Sequence, residues 1–121
     1  MFGSKRLTRL QIAEKFNAEC GGDLATGRSM DDLSYDAFKA EQKTIAFEIL
    51  RYSLSFVRTR VNAKLTHEHG MGQRYTVMMN DYVRKGNTRA AQSMIEKVNQ
   101  CTAKMRVCNA FFRAVKDVIE K

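Results

Sequence analysis

Two histidines flank a glutamate in the segment THEHGMGQRY, residues 66–75. Imidazole and carboxylate groups bind zinc and transfer protons in catalysis. On a helix, however, side chains two positions apart point about 200° away from each other, so His67 and His69 do not reach one metal ion. The chain also has no HExxH, CxxC or two-histidine, one-carboxylate spacing. The sequence therefore predicts no metal site and no cofactor.

A different chemistry pairs an arginine with one of these histidines. Arg60 and His67 are seven positions apart, so they share one face of a helix. This Arg-x6-His spacing resembles the motif of HEPN-type ribonucleases, which are small, helical and dimeric. The resemblance implies that Arg60 would stabilise phosphate charge and that His67 would move protons from a ribose 2′-hydroxyl. It covers this motif alone, and Val61 stands where that family usually has a polar residue, often asparagine. We therefore expect no enzyme, with a small helical ribonuclease as a remote alternative.

Basic residues around the same segment have the stronger functional interpretation. The net charge is +8, and residues 49–121 hold 14 basic and 5 acidic side chains, against 7 and 8 in residues 1–48. Such an excess usually indicates an anionic partner, although a merely solvated face is the simpler explanation. Contacts to a phosphate backbone would not read bases and would weaken with salt. The predicted binding residues are Arg58, Arg60, Lys64, His67, His69, Arg74, Arg84, Lys85 and Arg89.

Helices must position these residues, because the chain has no proline and its hydrophobic residues recur at helical spacing. We expect an all-α, elongated bundle of about four helices in one domain, residues 1–121. An N-terminal helix would end near Cys20, before Gly21 and Gly22, and a polar linker (21–33) would join it to the main bundle (34–121). Two helices would be long, at about 34–67 and 88–121, with Ser34 and Asn87 as N-caps and Gly70 ending the first of them. A shorter helix, about 73–85, would lie between them.

An apolar heptad seam along the last helix predicts self-association. A straight helix of 34 residues is about 50 Å long, whereas a domain of this size spans only about 35 Å. Its C-terminal apolar side chains would then lie in water, so we expect a homodimer, with folding-back of the first helix as the alternative. The predicted dimer interface comprises Cys101, Met105, Cys108, Phe111, Phe112, Val115, Val118 and Ile119.

These features favour a binding protein. The sequence predicts a small basic helical accessory or regulatory protein that binds nucleic acid non-specifically through its phosphate backbone. The alternative is a helical adaptor or inhibitor that binds an acidic protein partner through a Met/Phe-rich helix face. No apolar run approaches the roughly 20 residues of a membrane span, and no signal-peptide core or disulfide framework is evident. We therefore expect a cytoplasmic protein without a membrane partner or an evident small-molecule substrate.

Overall fold

Four helices that pack against one another confirm the all-α prediction in a computed structural model, which describes residues 4–27 and 29–121. In chain order the elements are β1 (Lys5–Leu7), α1 (Arg9–Thr26), α2 (Asp32–Arg51), α3 (Leu54–Arg84), α4 (Thr88–Val115) and β2 (Val118–Glu120). Two helices are long, as predicted: α3 has 31 residues and α4 has 28. By the usual rise per residue, α3 is about 46 Å long.

The central helix is α4, which packs against each of the other three helices. One part of its surface meets α3, where the Cβ atom of Cys101 lies close to Gly72. Another meets α1 and α2: the rings of Phe16 and Phe111 are in edge contact, with centroids 6.2 Å apart, and the guanidinium of Arg106 lies over Phe38. Most core residues come from the C-terminal half of α4 and the parts of α1, α2 and α3 around it.

The first and last segments of the described chain meet at the end of the bundle where α1 and α3 begin. β1 and β2 pair in parallel, with Lys5 opposite Val118 and Leu7 opposite Glu120. The carboxylate of Glu120 accepts the backbone N–H of Leu54 at 3.1 Å and the side chain of Arg9 at 2.7 Å. This end therefore joins three parts of the chain, and the turn between α3 and α4 forms the opposite tip.

The first helix runs further than the sequence predicts. α1 passes through Gly21 and Gly22 to Thr26 and α2 begins at Asp32, so eight of the 13 residues of the predicted linker (21–33) are helical. Thr8 begins the helix with a capping box completed by Gln11. The turn that follows the glycines is held by tertiary contacts, because Arg106 donates to the carboxylate of Asp23 at 2.8 Å. These contacts offset the low helix propensity of the two glycines.

The predicted helix of 34–67 is instead two helices. The helix is interrupted at Tyr52 and Ser53. The Ser53 side chain then accepts the backbone N–H of Phe56 as the N-cap of α3. α2 itself begins two residues early, with Asp31 rather than Ser34 as its N-cap. Each of these caps satisfies a backbone N–H that has no partner within its helix.

Gly70 does not end a helix, and the predicted helix of 73–85 is the second half of α3. The helix continues through both glycines of the THEHGMG segment because α4 packs along it. A Cβ atom placed on Gly72 would lie 3.7 Å from the Cβ of Cys101, so this position favours close approach of the two helices. The real end follows Arg84, where Gly86 has a φ of +72° and Asn87 caps α4 as predicted.

The last helix ends at Val115, six residues earlier than expected, and the chain then turns through Asp117 into β2. The surface predicted to form a dimer is mostly covered within one chain, because α1 packs against it, which is the alternative raised above. The original reason for expecting a homodimer is therefore wrong, and the oligomeric state stays a prediction. Of the eight interface residues, Cys101, Cys108, Phe111, Val115 and Val118 are buried, Met105 and Phe112 are partly buried, and Ile119 is exposed.

Candidate functional site

The nine residues predicted to bind an anion do not surround a loop. Seven of them lie on α3, Lys85 is its C-cap and Arg89 lies in the first turn of α4. Arg58 and Lys85 are 27 positions apart on one continuous helix, which separates them by about 40 Å. The predicted cluster is therefore a line along a helix, and its parts have different surroundings.

Two cations in this line are neutralised by glutamates of α2. Arg60 donates to one oxygen of Glu48 through Nη2 at 3.0 Å and Nε at 3.2 Å. Lys64 lies 3.5 Å from the carboxylate of Glu41 and 3.9 Å from that of Glu48. The bond to Glu48 raises the pKa of Arg60, so the guanidinium stays charged and paired. These side chains hold α2 against α3.

Three more predicted binding residues also have partners in the chain. Arg58 donates through Nη2 to the carbonyl oxygens of Val115 and Val118, both at 3.1 Å, and so caps the C-terminal end of α4. At the tip, Lys85 lies 2.9 Å and Arg84 3.6 Å from the carboxylate of Asp81, whose pKa is lowered chiefly by its bond to Lys85. These tip pairs are exposed to solvent, so they hold their cations weakly.

Four of the nine residues remain available: His67, His69, Arg74 and Arg89 are exposed, and no described residue forms an ion pair with them. They do not form one cluster, since Arg89 is on α4 and His69 points to a different side of α3 from His67 and Arg74. The predicted nine-residue site is thus reduced to scattered cations.

A second set of cations lies together at the end where the strands pair. We define the basal surface as residues 4–10, 51–58 and 115–121. Backbone bonds join its segments: Lys5 N–H donates to Asp117 at 2.7 Å, and Lys121 N–H donates to Leu7 at 2.9 Å. Its acidic residues are two, Asp117 and Glu120. Its basic residues are seven: Lys5, Arg6, Arg9, Arg51, Arg58, Lys116 and Lys121.

Exposed aromatic side chains accompany these cations. The rings of Tyr52 and Phe56 are 5.0 Å apart, and both side chains are nearly half exposed, at 44% and 46%. The guanidinium of Arg60 lies over the Phe56 ring, and that of Arg51 lies over the ring of Phe47, which is 55% exposed. Large apolar side chains grouped at a surface commonly mark an interaction site. The basal surface therefore combines positive charge with two partly exposed rings, those of Tyr52 and Phe56.

Sequence reasoning missed this surface because its three segments are far apart along the chain. Each holds only two or three basic residues, and their assembly depends on the parallel pairing of two three-residue strands and on the bonds of Leu54 and Arg58 to the C-terminal segment. The available signal was the segment KRLTR, residues 5–9, which has three basic residues and no acidic one.

The ribonuclease alternative requires Arg60 and His67 to lie on one face of a helix, and they do. Arg60 and His67 line the same shallow pocket, together with Lys64 and Glu68. Arg60 is, however, held by Glu48, so phosphate would have to compete with a carboxylate already in place. Among the described residues, no group of three or more His, Cys, Asp or Glu side chains is placed to hold a metal ion. No helix in the same residues is long and apolar enough to cross a membrane.

Comparison with known proteins supplies no relative: no family model, no curated protein and no solved structure matches the chain. The surfaces of the molecule are therefore the basis on which its function can be inferred.

Proposed function

We propose that the protein is a small basic accessory or regulatory protein that binds nucleic acid through the phosphate backbone, and that the basal surface makes the contact. The observation that carries the proposal is the excess of seven basic over two acidic side chains in three segments. Strand pairing joins two of them, and hydrogen bonds from Leu54 and Arg58 join the third, 51–58, to the last. Phosphate contacts of this kind supply most of the affinity in non-specific binding.

The cations of the basal surface differ in whether a group within the chain already binds them. Arg58 is occupied by backbone carbonyls, and Arg9 donates to Glu120 at 2.7 Å. Lys5, Arg6, Arg51, Lys116 and Lys121 are exposed, and no described residue forms an ion pair with any of them. If all five met phosphates of a duplex, the binding constant would fall by about 10⁴-fold for a tenfold rise in salt concentration.

The adaptor alternative needs an accessible Met/Phe-rich helix face. On α4 such a face is covered by the other helices, since Phe111 and Val107 are fully buried and Met94 is nearly so. A partner cannot reach this face without unfolding the bundle. An adaptor would therefore need another surface, whereas binding to nucleic acid can use the basal surface.

A salt titration with matched charge reversals tests the proposal. The probe is a fluorescein-labelled oligonucleotide of mixed sequence, as duplex and as single strand, and binding is followed by fluorescence anisotropy. The basal variant is Lys5→Glu/Arg6→Glu. The control is the tip variant, Arg84→Glu/Lys85→Glu, which changes net charge equally at the opposite end of α3. We expect the basal variant to weaken binding at least about tenfold and the tip variant by less than about threefold.

Two results would contradict the proposal. One is no binding to any oligonucleotide at about 20 mM salt, where electrostatic attraction is least screened. The other is an equal loss of affinity in the basal and tip variants, since this would indicate attraction to net charge rather than to a site.

A further inference from the structure

The two flanks of the paired helices α3 and α4 differ in charge. On one flank, shallow grooves are lined by charged residues that include Lys64, Glu68 and Lys104. The opposite flank has a groove of about 410 Å³, and none of the described residues that line it is Asp, Glu, Lys or Arg. Its lining residues are Leu65, Thr66 and His69 of α3 and Met105 and Asn109 of α4.

The uncharged surface continues along both helices beyond this groove. Residues seven positions apart lie on the same side of a helix, so the groove residues identify their neighbours on this flank. The polar ones are amides, hydroxyls and one imidazole. Along α3 they are Asn62, Thr66, His69, Gln73, Thr76 and Asn80, and α4 adds Thr102 and Asn109.

Apolar side chains accompany these polar ones along the flank. They are Leu65 on α3 and Ile95, Val98, Met105 and Phe112 on α4, and each is partly exposed. We call these five apolar and eight polar residues the neutral face. At the chain-wide share of 28% charged residues, about four of the thirteen would be Asp, Glu, Lys or Arg, whereas none is.

Within the described chain, the other helices leave the neutral face accessible. α1 and α2 cover other sides of α4, where Ala103, Val107 and Ala110 are buried. Next to Phe112 on α4, Arg113 is already paired with Glu19 of α1 at 3.3 Å. A continuous uncharged surface with partly exposed apolar side chains commonly marks contact with another molecule.

We infer that the neutral face is the interface of a symmetric homodimer, in which α3 and α4 of one copy pack on α3 and α4 of the other. A two-fold interface uses the same surface on both copies, so a residue near the axis meets its own copy. A charged residue there would meet like charge. Asparagine, glutamine, threonine and neutral histidine each donate and accept hydrogen bonds, so they can pair with an identical group. The neutral face has the composition that such an interface requires.

Other occupants fit this face less well. Nucleic acid needs cations to neutralise its phosphates, and the thirteen residues include no lysine or arginine. An acidic protein would be attracted to the basic residues elsewhere on the chain. Two copies carry a net charge of +8 each and repel one another, so they approach best where neither presents a cation.

The size of the neutral face indicates how strong the dimer should be. From Asn62 to Asn80 the helix rises by about 27 Å, and two helices side by side are about 20 Å wide, so each copy contributes about 550 Å². A total of about 1,100 Å² is at the lower end for specific interfaces, so we expect a dissociation constant of micromolar order.

This interface differs from the one predicted from the heptad seam. It keeps two of those eight residues, Met105 and Phe112, which the bundle leaves partly exposed. The five that are buried within one chain take no part in it. The neutral face also shares no residue with the basal surface, so the inference does not depend on the proposed function.

Sedimentation equilibrium of the full chain tests for self-association. We expect the apparent mass to rise from 13.9 kDa toward twice that value between about 1 and 200 µM protein. Because salt screens the repulsion between the copies and the neutral face holds no charged residue, the dimer should strengthen as salt rises from about 0.05 to 0.5 M. Oligonucleotide binding should weaken over the same range, which distinguishes the two interactions.

Charges introduced on the neutral face identify the interface. Thr66 and Gln73 are exposed and lie seven positions apart on α3. Thr66→Glu/Gln73→Glu and Thr66→Lys/Gln73→Lys should each weaken the dimer at least about tenfold, because like charges then meet across it. An equimolar mixture of the two variants should dimerise again, since unlike charges then face each other.

The control variant is Gln92→Glu/Ser93→Glu, which adds the same charge at exposed positions of α4 outside the neutral face. It should change the dissociation constant by less than about threefold. All of these substitutions are at exposed positions, so circular dichroism and urea midpoints should stay close to those of the wild type.

Four results would overturn the inference. The first is a wild-type mass that stays at 13.9 kDa at about 200 µM protein and about 0.5 M salt. The second is a dimer that neither face variant weakens, since it would use another surface. The third is an equal loss in the face and control variants. The fourth is a mixture of the glutamate and lysine variants that stays monomeric.

Discussion

Arg60 of α3 holds the almost fully buried carboxylate of Glu48 on α2, with Nη2 and Oε1 3.0 Å apart. The other carboxylate oxygen, Oε2, is buried and has no hydrogen-bond partner in the described part of the chain. The charge of Glu48 is therefore compensated by Arg60, with Lys64 more distant at 3.9 Å. An arginine that appears in the sequence as a candidate phosphate ligand thus has a structural role.

Removing this arginine should destabilise the fold. Arg60→Ala leaves Glu48 buried with one weaker cation nearby, and we expect the free energy of unfolding to fall by about 1–3 kcal/mol. Urea denaturation followed by circular dichroism measures it. Arg74→Ala, on the same face of α3 but without an ion-pair partner in the described chain, is the matched control and should change stability by less than about 0.5 kcal/mol. Equal midpoints for the two variants would contradict the assignment.

Glu120 makes stability depend on pH at the acidic end. The bond from Arg9, and then the bond from the Leu54 N–H, lowers the pKa of Glu120 below its ordinary value of 4.5. A carboxyl with a lowered pKa in the folded state stabilises that state when ionised. This contribution is complete above pH 4.5 and is lost as the pH falls through the folded-state pKa. We therefore expect Glu120→Gln to be less stable than wild type at pH 7.

The difference between wild type and Glu120→Gln should shrink as the pH falls below about 4.5 and vanish where Glu120 is protonated in both states. Urea midpoints measured at several pH values test this. Glu14→Gln, an exposed change with no partner in the described chain, is the control. A constant difference between wild type and Glu120→Gln at every pH would show that the carboxylate charge is not the cause.

Local sequence signals predicted some helix ends correctly and missed others for a physical reason. Asn87 was expected to cap α4 and does so, because an N-cap depends only on its own side chain and a backbone N–H three residues later. The start of α3 was not predicted although Ser53 is a local N-cap of the same kind; its Leu54 N–H also donates to Glu120, 66 positions away, and that contact is visible only in three dimensions. Gly70 was expected to end a helix on propensity alone, and packing against α4 overrides that preference.

The apolar seam and the charged residues also divide into features that local sequence predicts and features that depend on tertiary contacts. The apolar seam of α4 was recognised and does form core, since Ala91, Met94 and Cys108 are buried. What covers its C-terminal half was not recognised, because the position of α1 depends on contacts such as that of Phe16 with Phe111. Charges were likewise counted correctly, but their pairing across different helices is visible only in three dimensions.

The cysteine thiols should resist alkylation in the folded protein. Burial raises the pKa of the Cys20 and Cys108 thiols to about 12, and burial followed by a bond to Glu68 raises that of Cys101 to about 11. Because the thiolate is the reactive form, alkylation of Cys20 and Cys108 at pH 8 should be at least about 10³-fold slower than in denaturant. Mass spectrometry after iodoacetamide treatment measures it, and Cys101 should react before the other two.

Phe111 should matter to the stability of a single chain rather than to assembly. It is fully buried and contacts both Phe16 and Phe112. We expect Phe111→Ala to lower the free energy of unfolding by about 3–5 kcal/mol, since it removes a buried aromatic side chain and leaves a cavity. Ile119→Ala, at a residue 43% exposed, is the control and should have a small effect. Loss of a dimer without loss of stability in Phe111→Ala would restore the original interface prediction.

The Tyr52–Phe56 pair of the basal surface should favour single-stranded over duplex nucleic acid. Phosphate contacts alone do not distinguish the two strongly, but an unpaired base can stack on an exposed ring, a contact worth about 1–3 kcal/mol. We expect Tyr52→Ala/Phe56→Ala to weaken single-strand binding at least about fivefold and leave duplex binding within about twofold. The control is Val77→Ala/Val83→Ala on the distal half of α3, whose side chains are 67% and 61% exposed.

Because the chain has no tryptophan, its intrinsic fluorescence comes from its four tyrosines, one of which is Tyr52. Single-stranded oligonucleotide should quench part of the emission of wild type, and this part should be absent in Tyr52→Phe, which keeps the ring but loses the tyrosine signal. Equal losses of single-strand and duplex affinity in Tyr52→Ala/Phe56→Ala would mean that the rings only support the shape of the basal surface. In that case the cations would still bind phosphate. Measuring the affinity of the variant for both single-stranded and duplex oligonucleotides therefore separates base stacking from phosphate binding.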